Sequence, residues 1–184
     1  ADKFRCWKDL SGKPVFYTQA GFMNWLNWQR IHKALGTEFK HVQITRHATE
    51  VICMSPKTSN NGFLFPLYLR EQSEATLFDR GHHKTRLLPN LDPGFIAELS
   101  KRTGLGFISH GAGDLSRTFG PEDVLGYIVA ILHSPEYRRR YGEFLKADFP
   151  RIPLTSKRKL FQGICQLGHR LIGLQLFEEE APAP

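Results

Sequence analysis

The sequence predicts an α+β fold, with an antiparallel strand-rich N-terminal part packed on a C-terminal helical bundle. Three observations predict it. Between Phe39 and Arg46 the side chains alternate in character at every second residue, the pattern of a half-buried strand. From Asp92 onward, apolar residues return every three or four positions, as on the buried face of a helix. Prolines stand where helices start: Pro93, Pro121 and Pro135 each open a helical run, where a missing N–H costs nothing. These patterns divide the chain into a basic strand-rich part, residues 1–90, and a helical support part, residues 91–184, together one domain.

In the front part, the turn Asp9-Leu10-Ser11-Gly12 precedes a strand at Pro14 to Thr18. Phe22, Trp25, Leu26, Trp28, Ile31 and Leu35 fit a short helix from about Asn24, ended by Gly36. Phe39 to Met54 reads as strand, turn, strand. Phe39, His41, Gln43 and Thr45 face one side and Lys40, Val42, Ile44 and Arg46 the other, with Val51 to Met54 as the partner strand. Ser55 to Gly62 is a polar loop. Phe63 to Tyr68 returns as a strand whose Pro66 implies an edge or a bulge. Glu71 to Asn90 reads as an insertion carrying Arg80, His82, His83, Lys84 and Arg86.

The back part reads as all-helical. Asp92 is an N-cap, and Phe95, Ile96 and Leu99 make an inner stripe. Leu105 to Arg117 reads as a flexible glycine-rich connector. The stretch Phe119 to Leu154 predicts two helices split at Ser134-Pro135. Val124, Leu125, Ile128, Ile131 and Leu132 are buried on the first, and Tyr137, Tyr141, Phe144 and Leu145 on the second. Arg138, Arg139 and Arg140 share one turn, so they cannot all point inward. Asp148-Phe149-Pro150 stops the second helix. A last helix from about Ser156 to Phe177 is expected to pack Leu160, Phe161, Ile164, Leu167, Leu171, Leu174 and Leu176 inward, before a frayed tail.

Composition narrows the function. Hydrophobic residues make up 41% of the 184, enough for a folded core and too many for a disordered chain. The net charge is +7, and it is uneven: residues 1–90 hold 13 Lys and Arg against 7 Asp and Glu, residues 91–184 hold 12 against 11. A polyanion-facing surface is therefore expected in the front part. Three cysteines lie far apart without a Cys-x-x-Cys pair, which argues against a zinc site or a disulfide framework and fits a reducing cytoplasmic location. No apolar run approaches bilayer-spanning length, so no membrane partner is expected. A start at Ala1-Asp2 is what a domain excised from a longer chain would show.

Catalytic patterns are missing. Gly104 to Gly113 matches neither the dinucleotide fingerprint nor a phosphate-binding loop. Glu98 and Lys101 lack the spacing of a metal-dependent nuclease core, and His82-His83 has no Asp, Glu or Cys at ligand distance. No cofactor and no catalysis are expected of this chain by itself. Binding chemistry remains. Cations neutralise phosphates and set register, and Arg, Lys, Asn, Ser and Thr on a rigid edge can pair with bases in the major groove. Candidates for base reading are Arg46, His47, Thr49, Lys57, Thr58, Ser59, Asn60 and Asn61. Candidates for phosphate contact are Lys40, His41, Lys84 and Arg86, with Arg138, Arg139 and Arg140 as a second patch.

Two runs carry a family resemblance. YIVAILHSPEYRRRYGEFLKADFPRIPL, from Tyr127 to Leu154, together with FPLYL, from Phe65 to Leu69, resembles the C-terminal specificity segment of Type ISP restriction-modification enzymes. Phe4 to Thr18 loosely resembles that family's opening, with Cys6 where a proline is usual. The resemblance implies a target recognition domain for double-stranded DNA. It implies a parent chain bearing nuclease, ATP-driven translocase and adenine-N6 methyltransferase parts, and the methyltransferase domain as partner. S-adenosylmethionine and ATP would belong to those other parts. The alternative is a protein–protein coupling module that docks onto a methyltransferase or translocase without reading bases.

Overall fold

The computed structural model describes residues 42, 44, 46, 65–71, 86–147 and 150–179. The expected strand at Pro14 to Thr18, the helix after Asn24, most of the Phe39–Met54 hairpin, the Ser55–Gly62 loop and the Arg80–Lys84 cluster lie outside these residues. Among the described residues there are four helices and four short strands.

Strand β1 (Tyr68–Glu71) pairs antiparallel with β2 (Arg86–Pro89), placing Tyr68 opposite Pro89 and Glu71 opposite Arg86. This corrects two expectations. Of the strand expected over Phe63 to Tyr68, the described residues 65–67 lie outside the ladder, which starts at Tyr68, because Pro66 has no N–H to give. The end of the expected insertion is itself a strand. Buried Asn90 closes the hairpin: its backbone N–H donates to Leu67 O at 2.8 Å and its Nδ2 to Pro66 O at 2.9 Å.

Helix α1 (Pro93–Thr103) starts as expected. Asp92 Oδ1 accepts from Phe95 N–H at 2.9 Å, and Pro93 occupies the first turn. Gly104, at φ +68°, ends it in the left-handed region that favours glycine. The stretch that follows is not a plain connector, and the back half is not all-helical. Strand β3 (Gly106–Phe107) pairs in parallel with β4 (Thr118–Phe119). Between them Asp114 Oδ1 accepts from the N–H groups of Ser116, Arg117 and Thr118, at 2.9, 2.7 and 2.9 Å. These bonds hold the Asp114 carboxyl well below the usual carboxylate range.

Helix α2 (Pro121–His133) runs through the centre, and α3 (Pro135–Ala147) follows after Ser134, whose Oγ accepts from Tyr137 N–H at 3.3 Å. Asp123, fully buried, seats the start of α2. Its Oδ2 accepts from Gly120 N–H at 2.8 Å and from Gly113 N–H at 2.6 Å, joining helix and loop. Helix α4 (Arg158–Gln175) crosses α2 closely enough that a Cβ on Gly168 would overlap the Gly126 carbonyl. Phe119, Tyr127 and Phe161 interlock in the core, with ring centroids 5.8 Å apart for Phe119–Phe161 and 5.2 Å for Tyr127–Phe161. Phe65 and Leu67 pack against this core from the front of the chain.

The close α2–α4 crossing reverses part of the expected burial. The inner face of α4 is Phe161, Cys165 and Gly168, while Leu160 and Leu167, expected inside, are 50% and 58% exposed. Small residues allow the two backbones to meet, and that rotation turns the two leucines outward. Tyr141 on α3, also expected inside, is 40% exposed.

Candidate nucleic-acid interface

The family-like run from Tyr127 to Leu154 is chiefly architectural. After α3 the chain returns as an extended strap, and a tyrosine from each of the two helices holds it. Tyr127 OH donates to Pro153 O at 2.6 Å and Tyr137 OH to Arg151 O at 2.7 Å. Burial pushes both phenols up to about 12, so they remain donors at neutral pH. The Arg151 guanidinium lies 4.3 Å from the centroid of the Phe144 ring.

The three consecutive arginines separate as their shared turn requires. Arg138 is half-buried, and its Nε donates to Leu132 O at 2.6 Å, satisfying a carbonyl at the end of α2. Arg139 is exposed and pairs with Glu136 at 2.6 Å, which holds the Glu136 carboxyl below its ordinary value. Arg140 is exposed, 5.8 Å from the Tyr141 ring centroid.

Arg46 meets this same end of the molecule. Its Nε donates to Glu178 Oε1 at 2.8 Å and its Nη2 to Glu178 Oε2 at 3.1 Å, in the open. Two residues earlier, Ile44 N–H donates to Gln175 Oε1 at 2.9 Å. Gln175 Nε2 lies 3.1 Å from His133 Nε2, and His133 Nδ1 lies 2.9 Å from Val129 O. Those partners assign the tautomer: Nδ1 donates to the carbonyl, leaving Nε2 to accept from the amide. The segment bearing Arg46 is thereby tied to the ends of α2 and α4, where α3 begins. Exposed ion pairs such as Arg46–Glu178 and Arg139–Glu136 are weak in water, so another hydrogen-bond acceptor can displace the carboxylate at little cost.

Of the other candidates, Arg86 sits on β2 opposite Glu71. Lys40, His41, His47, Thr49, Lys57, Thr58, Ser59, Asn60, Asn61 and Lys84 lie outside the described residues. A second group of cations was missed in the sequence. Lys101 and Arg102 lie in the last turn of α1, whose end is contacted by Arg158 at the start of α4, between Lys157 and Lys159. The signal was available: three consecutive cations directly before an apolar-periodic run contradict the preference for acids at helix starts. Among the described residues no helix is long and apolar enough to cross a membrane.

The described part is thus a helix-dominated mixed α and β domain, with exposed arginines where the front of the chain joins it. The chain belongs to the Type ISP C-terminal specificity domain family, which it matches over residues 12–184. That family concerns target recognition in restriction-modification. No curated protein and no solved structure matches the chain.

Proposed function

We propose that this chain is the target recognition domain of a Type ISP-like restriction-modification enzyme and reads a short site in double-stranded DNA. Membership of the specificity-domain family over nearly the whole chain is the observation that carries the reading. The charge distribution supports it, because the basic surplus lies in residues 1–90 and the described Arg46 is exposed. In this reading Arg46, His47, Thr49 and Lys57 to Asn61 face bases, while Lys40, His41, Lys84, Arg86 and the exposed Arg139 and Arg140 of α3 face phosphates; Arg138, turned to the end of α2, serves the fold. The helices from Asp92 onward would hold the reading hairpins rigid, as base discrimination requires. Nuclease, translocase and adenine-N6 methyltransferase chemistry, with S-adenosylmethionine and ATP, belongs to other parts of a parent enzyme. The methyltransferase would act on an adenine swung out of the duplex.

The test is selection from a random duplex pool by the 184-residue chain at low salt. A short enriched motif is expected. Arg46→Ala or Asn60→Ala should then lower discrimination at one position by about 1–3 kcal/mol for a lost bidentate contact. A pool that emerges without enrichment overturns the reading. Co-purification with a methyltransferase or translocase part and no DNA binding would favour the coupling module instead.

A further inference from the structure

The end of α1 and the start of α4 form one surface. Arg158 Nε donates to Thr103 O and its Nη2 to Gly104 O, both at 3.0 Å, so it stitches α4 onto the last carbonyls of α1. Arg102 Nη1 reaches the Leu154 carbonyl, 3.5 Å away, on the approach to α4. Lys101, Arg102, Lys157, Arg158 and Lys159 are all exposed. The acid paired within this group is Glu98, which holds Arg102 at 2.6 Å. Lys101 feels the Glu98 charge without an ion-pair contact, and Lys157 and Lys159 have no acidic partner among the described residues.

The two halves of this surface differ in their internal energetics. Lys101 and Arg102 sit at the negative end of α1, where cations stabilise a helix. Lys157, Arg158 and Lys159 sit at the positive end of an 18-residue helix, where cations destabilise it. Helices α2 and α3 follow the rule, with Glu122 and Asp123 opening α2 and Glu136 opening α3, and α1, without an acid in its first turn, is capped by Asp92. Helix α4 has no acid in its first turn, and Lys157 as N-cap supplies no side-chain hydrogen bond. A local choice that opposes the fold is characteristic of a binding surface. An anion there would relieve both the crowded cations and the unpaired first N–H groups of α4.

We propose that Lys101, Arg102, Lys157, Arg158 and Lys159 form a phosphodiester clamp on the helical half, gripping the backbone of duplex DNA without reading its sequence. The proposal rests on the DNA-recognition reading above and adds a second contact region to it. Lysines act as point charges on phosphate, and this surface ends a helix instead of presenting an edge to a groove, so it sets position and not sequence. Cations contributed by two elements suit a polymer of phosphates better than one small anion.

The test compares salt titrations of duplex binding for the 184-residue chain, Lys157→Gln/Lys159→Gln, and Lys101→Gln, with thermal melts of each. Neutralising two phosphate contacts should flatten the slope of log K against log salt by about 2, and neutralising one by about 1. Affinity should fall by the same factor on selected and random duplexes. The melts separate contact from misfolding, because the two helix ends have opposite polarity. The double variant should melt higher, by about 2–4 °C per kcal/mol gained, while Lys101→Gln should not. Unchanged slopes in folded variants overturn the clamp, and so does a loss confined to the selected site. If the unmodified chain selects a motif and the slopes do not move, only the clamp fails. If it binds no duplex at all, the recognition reading fails with it.

Discussion

Helices α2 and α3 are equal in length and separated by a single residue, yet they serve opposite purposes. Helix α2 is buried nearly all round: Val124, Gly126, Tyr127, Ile128, Val129 and Leu132 are buried, and α4 crosses it backbone to backbone. Helix α3 buries Tyr137 and Leu145 and turns Arg139, Arg140 and Tyr141 to solvent. The first is the post on which the domain is assembled. The second braces the strap with one face and offers cations with the other. A helix that is apolar on every side belongs inside, and an amphipathic one belongs at the boundary.

Matched substitutions break this comparison most sharply. Tyr127→Ala on α2 should destabilise by about 4 kcal/mol through cavity formation. Tyr141→Ala on α3 should cost about 1 kcal/mol, the share of its ring contact with Tyr137, whose centroid is 5.0 Å away. Denaturant melts measure both, and equal losses would refute the contrast.

A glycine pair should give opposite signs. A Cβ at Gly126 would meet His169 Cδ2 at 2.7 Å and Cys165 O at 3.0 Å, so Gly126→Ala should destabilise by about 2 kcal/mol. A Cβ at Gly142 on α3 meets nothing within 4 Å, so Gly142→Ala should stabilise by about 1 kcal/mol through helix propensity. The strap sharpens the comparison further. Tyr137→Phe removes the hydrogen bond to Arg151 O and should cost about 1 kcal/mol in the same melts.

The smallest expected effect concerns the loop that leads into α2. Asp114 is ionised in its turn with a lowered pKa, so it stabilises the fold above the ordinary carboxylate pKa, and this contribution is lost as pH falls through the folded value. Asp114→Asn should therefore melt below the unmodified protein at neutral pH, with a gap that narrows as the medium becomes strongly acidic. A gap independent of pH would mean that the carboxylate charge is not what holds the turn.

Much of this architecture was legible because it is local. Asp92-Pro93, Gly120-Pro121 and Ser134-Pro135 mark helix starts through groups within three residues of each other, and all three starts stand where the sequence places them. The strands were harder to read. β3 and β4 have two residues each, too short to show a period, and each residue is held by a partner twelve positions away. β2 hid in a polar stretch because its register comes from β1 and from Asn90. At the candidate interface, the consecutive arginines at 138–140 stand out in the sequence, but only the fold shows that Arg138 is turned to the end of α2. The cations at 157–159 are visible in the sequence as a basic run at a helix start, but their place beside the end of α1 comes only from folding.

The amino-acid order alone determined where helices begin, which family the chain resembles and where its positive charge accumulates, since each depends on neighbouring residues or simple counts. Tertiary structure decided which face of α4 is inside. Hydrophobicity favoured Leu160 and Leu167, but the approach of α4 to α2 is set by the absence of side chains at Gly126 and Gly168. Once two backbones touch there, the faces that remain have to turn to solvent, whatever their polarity.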